Sequence, residues 1–501
     1  MRSAVPRAGE PDRLARGATS RARFVISALY RGALAAALAV ALAAGSTAAE
    51  CPPTDPREPR TLILALDGVP YRAVRAAREM GAFPGWAETR PLVSPFPSMT
   101  NVGFAAILEP FGANRIPGYE IRRFDAERNQ VTGGGVFSLK FDWREHFKIQ
   151  LEGLWSKTGL YMTPRTSARK EMQHVEKLVL SEPDELMLAL ISSTDSMTHF
   201  LGDEAIIRTL LDFSQRIEGL RRRHQEMYGR ALRVVMLSDH GNGGNKIRRP
   251  DGVGWALRRA GLHPAKRLKR ATDVVTVTYG IVGYGALYLD PRYAETAARA
   301  VLGHEGVFLA AWRPAGNTLQ IATRNGQARI VWRDDARGRS LAYRPDQGDP
   351  LALSPTLERM RWAGVLDEQG YASRADWFDW TAFAAYPDAP GRLVDSLSGM
   401  WVTNSATVIF SFEPGYAWGV KPAEIAAWVR AGRLETTHGG LDRESTWGFF
   451  MTSDPTVETP RAVRAELALE RWAPVDSCTA ASLIEFSDSS GGLHLPQVVR
   501  P

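Results

Sequence analysis

Three short apolar runs, each delivering an aspartate at its exit, constrain this chain more than any other feature. "TLILALDG" ends on Asp67-Gly68, "ELMLALISSTD" on Asp195, and "LRVVMLSDHG" carries Asp239-His240. Each run has strand length and lacks polar alternation, the pattern of strands buried on both faces. Helix-like segments separate them at about 71–80, about 102–109 and about 203–227. In the last, Ile206, Ile207, Leu210, Leu211, Ile217 and Leu220 keep helical spacing. Asp203 and Glu204 read as its caps. Strands alternating with helices predict an α/β fold whose central sheet is mostly parallel, with helices on both faces. Ligands of such sheets sit at the carboxyl ends of the strands. The acidic exits are therefore expected to converge on one edge.

The chain has 501 residues, 44% hydrophobic and 23% charged, enough for one large core with insertions. Residues 1–49 read as a secretory signal peptide. Seven arginines up to Arg31, set against Glu10 and Asp12, precede the uncharged run "GALAAALAVALAA" and a small-residue exit. That run is too short to span a bilayer, so the mature chain is expected to have no stable membrane span and to be periplasmic or secreted. Without this segment the net charge of +7 falls to about +2, so nucleic-acid binding is not expected. The only cysteines, Cys51 and Cys478, lie at opposite ends of the exported part. In an oxidising compartment they can pair, with two free thiols as the alternative.

Residues 50–60 read as a Pro-rich linker. A hydrolase core is expected over 61–302 and 436–501, with "ALYL" (286–289) and "WGFFMTS" (447–453) as later strands. The less regular 303–435 segment, with Trp312, Trp332, Trp362, Trp377 and Trp380, reads as an insertion or cap of mixed structure. Those tryptophans serve either packing or a binding surface.

Histidines stand beside the acidic exits. "STDSMTHFLGD" sets Asp195 and His199 four apart, "SDHGNGG" joins Asp239 to His240, and "ETTHGGLD" places His438 before two glycines. Singly, each has an ordinary explanation: Asp-Gly after a strand is usually a turn, and a lone histidine in a loop is common. Jointly, Asp67, Asp195, Asp239, His199, His240 and His438 offer mixed oxygen and nitrogen donors. These are too many for one tetrahedral ion, but they divide into two three-ligand sites with an open position each. Zn²⁺ suits such donors best, and Mn²⁺ or Fe also fits. Paired ions of this kind serve in-line displacement at phosphorus. The other six histidines (His146, His174, His224, His263, His304 and His494) have no such context and are assigned to surface or packing roles.

"LILALDG", "PFPSMTN", "STDSMTHFLG", "LSDHG" and "THGG" together resemble the alkaline phosphatase superfamily. The resemblance is to the type I phosphodiesterase/nucleotide pyrophosphatase branch and the similar phosphonoacetate hydrolases. It implies an alkaline phosphatase-like core. It also implies that Asp67, Asp239, His240 and Thr100 hold one divalent ion, and that Asp195, His199 and His438 hold the other. It further implies that the nucleophile is the threonine of a P-S-x-T arrangement, which falls on Thr100, with Ser98 as the competing hydroxyl. A threonine activated in this way forms a phospho-threonine that water then hydrolyses. Asn101 is expected to donate to the substrate or to start the helix.

The chain also departs from relatives. The sulfatase C/S-x-P-x-R motif is missing, "TNVGF" replaces the TFPNH of many nucleotide pyrophosphatases, and no third-metal set stands out. The expected activity is an exported two-metal hydrolase of small phosphoric esters, a phosphodiesterase or pyrophosphatase. The alternatives are a phosphomonoesterase, phosphonate hydrolase or phosphoryl-type transferase on the same scaffold, or an exported binding protein braced by metal.

Overall fold

A computed structural model describes residues 58–134, 141–148, 163–182, 184–244, 247–248, 252–277, 280–336, 338–419 and 434–473. The signal segment, Cys51, Cys478 and most of the linker lie outside these residues.

The apolar runs form the parallel heart of a six-stranded sheet. Its strands are β1 (Arg60–Leu66), β2 (Arg90–Val93), β3 (Leu186–Ile191), β4 (Leu232–Leu237), β5 (Trp447–Thr452) and β6 (Val463–Arg464). They lie in the order β6-β2-β5-β4-β1-β3. β1 runs parallel to both neighbours, and Leu66 pairs with Ile191 while Ala65 pairs with Leu237. The three runs therefore end level, which brings the acidic exits to one edge. β5 is antiparallel to both β4 and β2.

Side-chain alternation divides β1 between two cores. Leu62, Leu64 and Leu66 pack with residues of α1 (Tyr71–Glu79), α3 (Pro164–Ser181) and α4 (Ser193–Tyr228). Ile63 and Ala65 pack with α2 (Thr100–Ile107) and with the inner face of a second sheet. α4 begins ten residues before the expected 203, and Gly202 (φ 69°, ψ −172°) breaks it there. Its short first segment carries Asp195 and His199. Asp203 does not cap the second segment. Its carboxylate instead receives Arg72 Nε at 2.6 Å and Nη2 at 2.8 Å.

The second sheet has nine strands and is antiparallel, except where 263–265 pairs with 273–277. It already includes 263–265, 273–277 and 284–289, upstream of the limit expected at 303, so "ALYL" belongs to this sheet. The helices Val253–Arg259 and Ala294–Leu302 cover its outer face. Of the five tryptophans, Trp312, Trp332 and Trp377 are buried, Trp380 packs partly buried against the core, and Trp362 is 91% exposed. Packing therefore accounts for four of them.

Candidate metal centre

Asp67 leaves β1 directly, Asp239 and His240 follow β4 by way of Ser238, and Asp195 sits in the first turn of α4. Two side-chain clasps tie these exits together. Asp239 Oδ1 accepts from Gly68 N at 3.2 Å, and Ser238 Oγ accepts from Val69 N at 2.8 Å. The His438 loop is strapped across them. Gly243 and Thr437 exchange backbone bonds of 2.7 and 2.9 Å, Glu435 N donates to His199 O, and Gly283 N donates to His438 O.

Every expected ligand residue arrives at this edge. Donor atoms of Asp195, His199 and His438 lie within 4.8 Å of one another, as do those of Asp67, Asp195 and His240. Asp195 thus stands between the two groups. Asp239 Oδ2 adjoins the second at 3.3 Å from His240 Nε2. Asp67, Asp239, His240 and His438 are buried, whereas Thr100, Asp195 and His199 are partly exposed and form the open side.

The imidazoles share one arrangement. His199 Nδ1 lies 2.8 Å from Thr436 O, His240 Nδ1 2.9 Å from Gly241 O, and His438 Nδ1 2.9 Å from Ser98 O. A carbonyl oxygen only accepts, so Nδ1 carries the proton in each ring and a neutral ring leaves Nε2 with a lone pair. Yet His199 Nε2 faces Asp195 Oδ1 at 3.3 Å, His438 Nε2 faces the same oxygen at 3.8 Å, and His240 Nε2 faces Asp239 Oδ2. Lone pairs confront carboxylate oxygens, and Asp239 Oδ2 is fully buried with no hydrogen-bond donor. A cation between them resolves each confrontation, with the backbone carbonyls orienting the rings as outer partners do in metal sites. The residues present therefore fit divalent ions.

The electrostatics divide the imidazoles: burial opposes a charged His199, but Asp195 raises it above an ordinary imidazole, whereas His438 is lowered. Burial, then the charges of Asp239 and Asp195, push the Asp67 carboxyl well above its usual range, and burial holds Asp239 up at about 6. Burial works against ionised Asp195 too, but His199, His438 and His240 hold its carboxyl well below the usual range. Burial, then His240, lowers His438 well below an ordinary imidazole, which favours the neutral ligand form.

Thr100 is the first residue of α2, and its Oγ1 lies 3.2 Å from Asp67 Oδ1 and 3.2 Å from His240 Nε2. Ser98 is buried elsewhere. Its Oγ accepts from Arg392 at 2.8 Å and donates to Gly440 O at 3.2 Å. Asn101 is the second residue of α2, and its side chain does not cap the helix. Its Nδ2 reaches Glu120 Oε2 at 3.5 Å, and burial raises that carboxyl to about 8.

Sequence reasoning missed Asn242, whose Nδ2 donates to Gly68 O at 2.8 Å and reaches Asp195 Oδ1 at 3.4 Å. Its position in "DHGNGG", two residues after His240, was the available signal. It also missed Glu120 and Arg392, which no local motif marks.

No protein-family model matches the chain, and a search of the curated proteins returns no match. Among solved structures, the chain is similar to human ectonucleotide pyrophosphatase/phosphodiesterase 5 at 11% identity. That match covers 81% of this chain and 92% of the other, with a TM-score of 0.43. The chain is also similar to phosphonoacetate hydrolase from Sinorhizobium meliloti 1021, solved with phosphonoformate, at 12% identity. There the coverage is 85% and 96%, and the TM-score is 0.44.

Proposed function

We propose that this chain is an exported, metal-dependent hydrolase of small phosphoric esters, a phosphodiesterase or pyrophosphatase that works through a covalent phospho-threonine at Thr100. The observation that carries this reading is the position of Thr100 Oγ1, 3.2 Å from both Asp67 Oδ1 and His240 Nε2, on the partly exposed side of the acidic cluster. Asp67, Asp239 and His240 would hold one divalent ion beside Thr100, and Asp195, His199 and His438 a second. Zn²⁺ suits these donors, and Mn²⁺ or Fe also does. When bound, such ions supply charge neutralisation and a lowered hydroxyl pKa.

The side chains account for the rest. Asp67 orients the Thr100 hydroxyl and is placed to take its proton. Thr100 Oγ attacks phosphorus, the bond to the leaving alcohol breaks, and that alcohol takes up a proton from water. The hydroxide so formed then attacks phosphorus, the bond to Oγ breaks, and the threonine oxygen takes back the proton held by Asp67. The free first-turn amides of α2 are suited to an anionic oxygen.

The test is hydrolysis of bis-p-nitrophenyl phosphate, p-nitrophenyl phosphate and a phosphonate by the full chain, with and without chelator. Chelator-sensitive diester turnover is expected, lost by at least about 1,000-fold in Thr100→Ala, since the nucleophile itself is removed. Monoester turnover alone, or carbon–phosphorus cleavage, would redirect the substrate class. Turnover that survives in Thr100→Ala would end the phospho-threonine reading.

A further inference from the structure

Arg392 lies on α5 (Ala389–Leu397), a helix packed against strand Gly338–Gln347 of the second sheet, and is 2% exposed. Its guanidinium hydrogen-bonds to uncharged oxygens. Nη1 donates to Pro387 O at 3.0 Å and Leu441 O at 3.3 Å, while Nη2 donates to Pro95 O at 3.2 Å and Ser98 Oγ at 2.8 Å. Burial pushes this guanidinium down to about 9, and the charges of Asp388 and Asp442 oppose that shift without a direct ion pair. Burying a charge in this way is costly unless its hydrogen bonds are well placed. The acceptors show what it joins. Pro95 and Ser98 belong to the loop that ends in Thr100, and Leu441 to the loop that begins at His438. Ser98 stitches the same two loops, because its Oγ donates to Gly440 O and its carbonyl accepts from His438 Nδ1 at 2.9 Å.

We propose that Arg392 is a positioning residue that clamps the Pro95–Thr100 loop to the His438–Leu441 loop and thereby aims His438 Nε2 at Asp195. The clamp rests on the metal-centre reading of this edge. It acts from a helix far along the chain from either loop, through Ser98 and the backbone. Its effect should fall on the ion held by Asp195, His199 and His438, more than on the one beside Asp67.

The experiment is metal titration of the metal-free full chain, with Zn²⁺ for stoichiometry and affinity and Co²⁺ for the absorption signature of each site. Wild type is compared with Arg392→Met and Arg392→Lys, and folding is checked by circular dichroism. Wild type is expected to take two ions. Arg392→Met should hold one unchanged and the other about 10- to 100-fold more weakly, the usual effect of losing an outer partner. Arg392→Lys should recover part of the loss. Two unchanged ions in Arg392→Met, or equal weakening of both, would overturn the clamp. If Arg392→Met does not fold, Ser98→Ala removes the hydroxyl that accepts from Arg392 and donates to Gly440 O, and leaves the Ser98 carbonyl on His438 in place. Weakening of one ion would then support the clamp, and unchanged binding would refute it. A wild-type chain that takes up no ion sinks the metal centre and the clamp together. Because the readout is binding, that outcome is distinct from failure to find a substrate.

Discussion

Gly68 follows Asp67 at φ 65°, and a Cβ there would lie 2.4 Å from Asp195 Oδ1 and 2.9 Å from Asn242 Nδ2. Two demands meet at this residue: a left-handed backbone and an empty space against the Asp195 carboxylate. Gly81 shares only the first, with φ 93° and nothing within 4 Å of an added Cβ. Both Gly68→Ala and Gly81→Ala should lose about 1–2 kcal/mol of stability. Only Gly68→Ala should also lose diester turnover, by roughly 100-fold, because it displaces Asp195 by about an ångström. Parallel urea melts and initial rates check both, and equal rates in the two variants would refute the close-approach argument. Asp67, Asp239, His240 and His438 were legible because aspartate or histidine in a short Gly-containing motif leaves a local trace, and Asp195 and His199 because they stand four apart after an apolar run. Arg392 was not legible: its partners lie 294 and 49 residues away, and nothing next to it in the sequence marks the contact.

At the scale of elements, the helix that carries Asp195 is started by a residue outside it. Ser192 offers no side-chain cap. Glu171 of α3 instead accepts from Ser192 N at 3.1 Å, from Ser193 N at 3.2 Å and from the Ser193 hydroxyl. Burial raises this carboxyl to about 7, against which the serine donors pull. A carboxyl with a raised folded-state value keeps its proton in the folded chain after the unfolded chain has lost it. Stability from this group is therefore lost as pH rises from about 4.5 to about 7, and is level above that. Between pH 5 and 7.5, wild type should lose of order 1–3 kcal/mol relative to Glu171→Gln, measured by urea unfolding at each pH. A difference that stays constant with pH would contradict the assignment. α4 was read from 203 because its apolar spacing starts there. The preceding turn, rich in Ser, Thr, Asp and His, is held by this tertiary cap and has no periodicity to read.

For the whole molecule, several carboxylates gather at one sheet edge with few cations to offset them. An ion bound only in the folded state adds stability in proportion to RT ln(1 + [ion]/Kd), about 2.7 kcal/mol at one hundred times Kd. Chelation should therefore lower the melting temperature by a few degrees, and Thr100→Ala should keep that metal-dependent difference. Equal melting with and without chelator would argue against ions at this edge. The parallel heart of the first sheet was visible as apolar runs because both its faces are covered. Of the second sheet only "ALYL" was visible, because long antiparallel strands such as Gly326–Asp335 alternate buried and exposed positions and form no run.

That same division of β1 between two cores bears on how the edge fails. A strand with no solvent face has no partial way to open, and its amides are released only when both cores come apart. Asp67 is attached to the end of such a strand. The amides of the floor are therefore expected to exchange hydrogen only on global unfolding, and those around the partly exposed Thr100 and His199 sooner, which native-state hydrogen exchange would read.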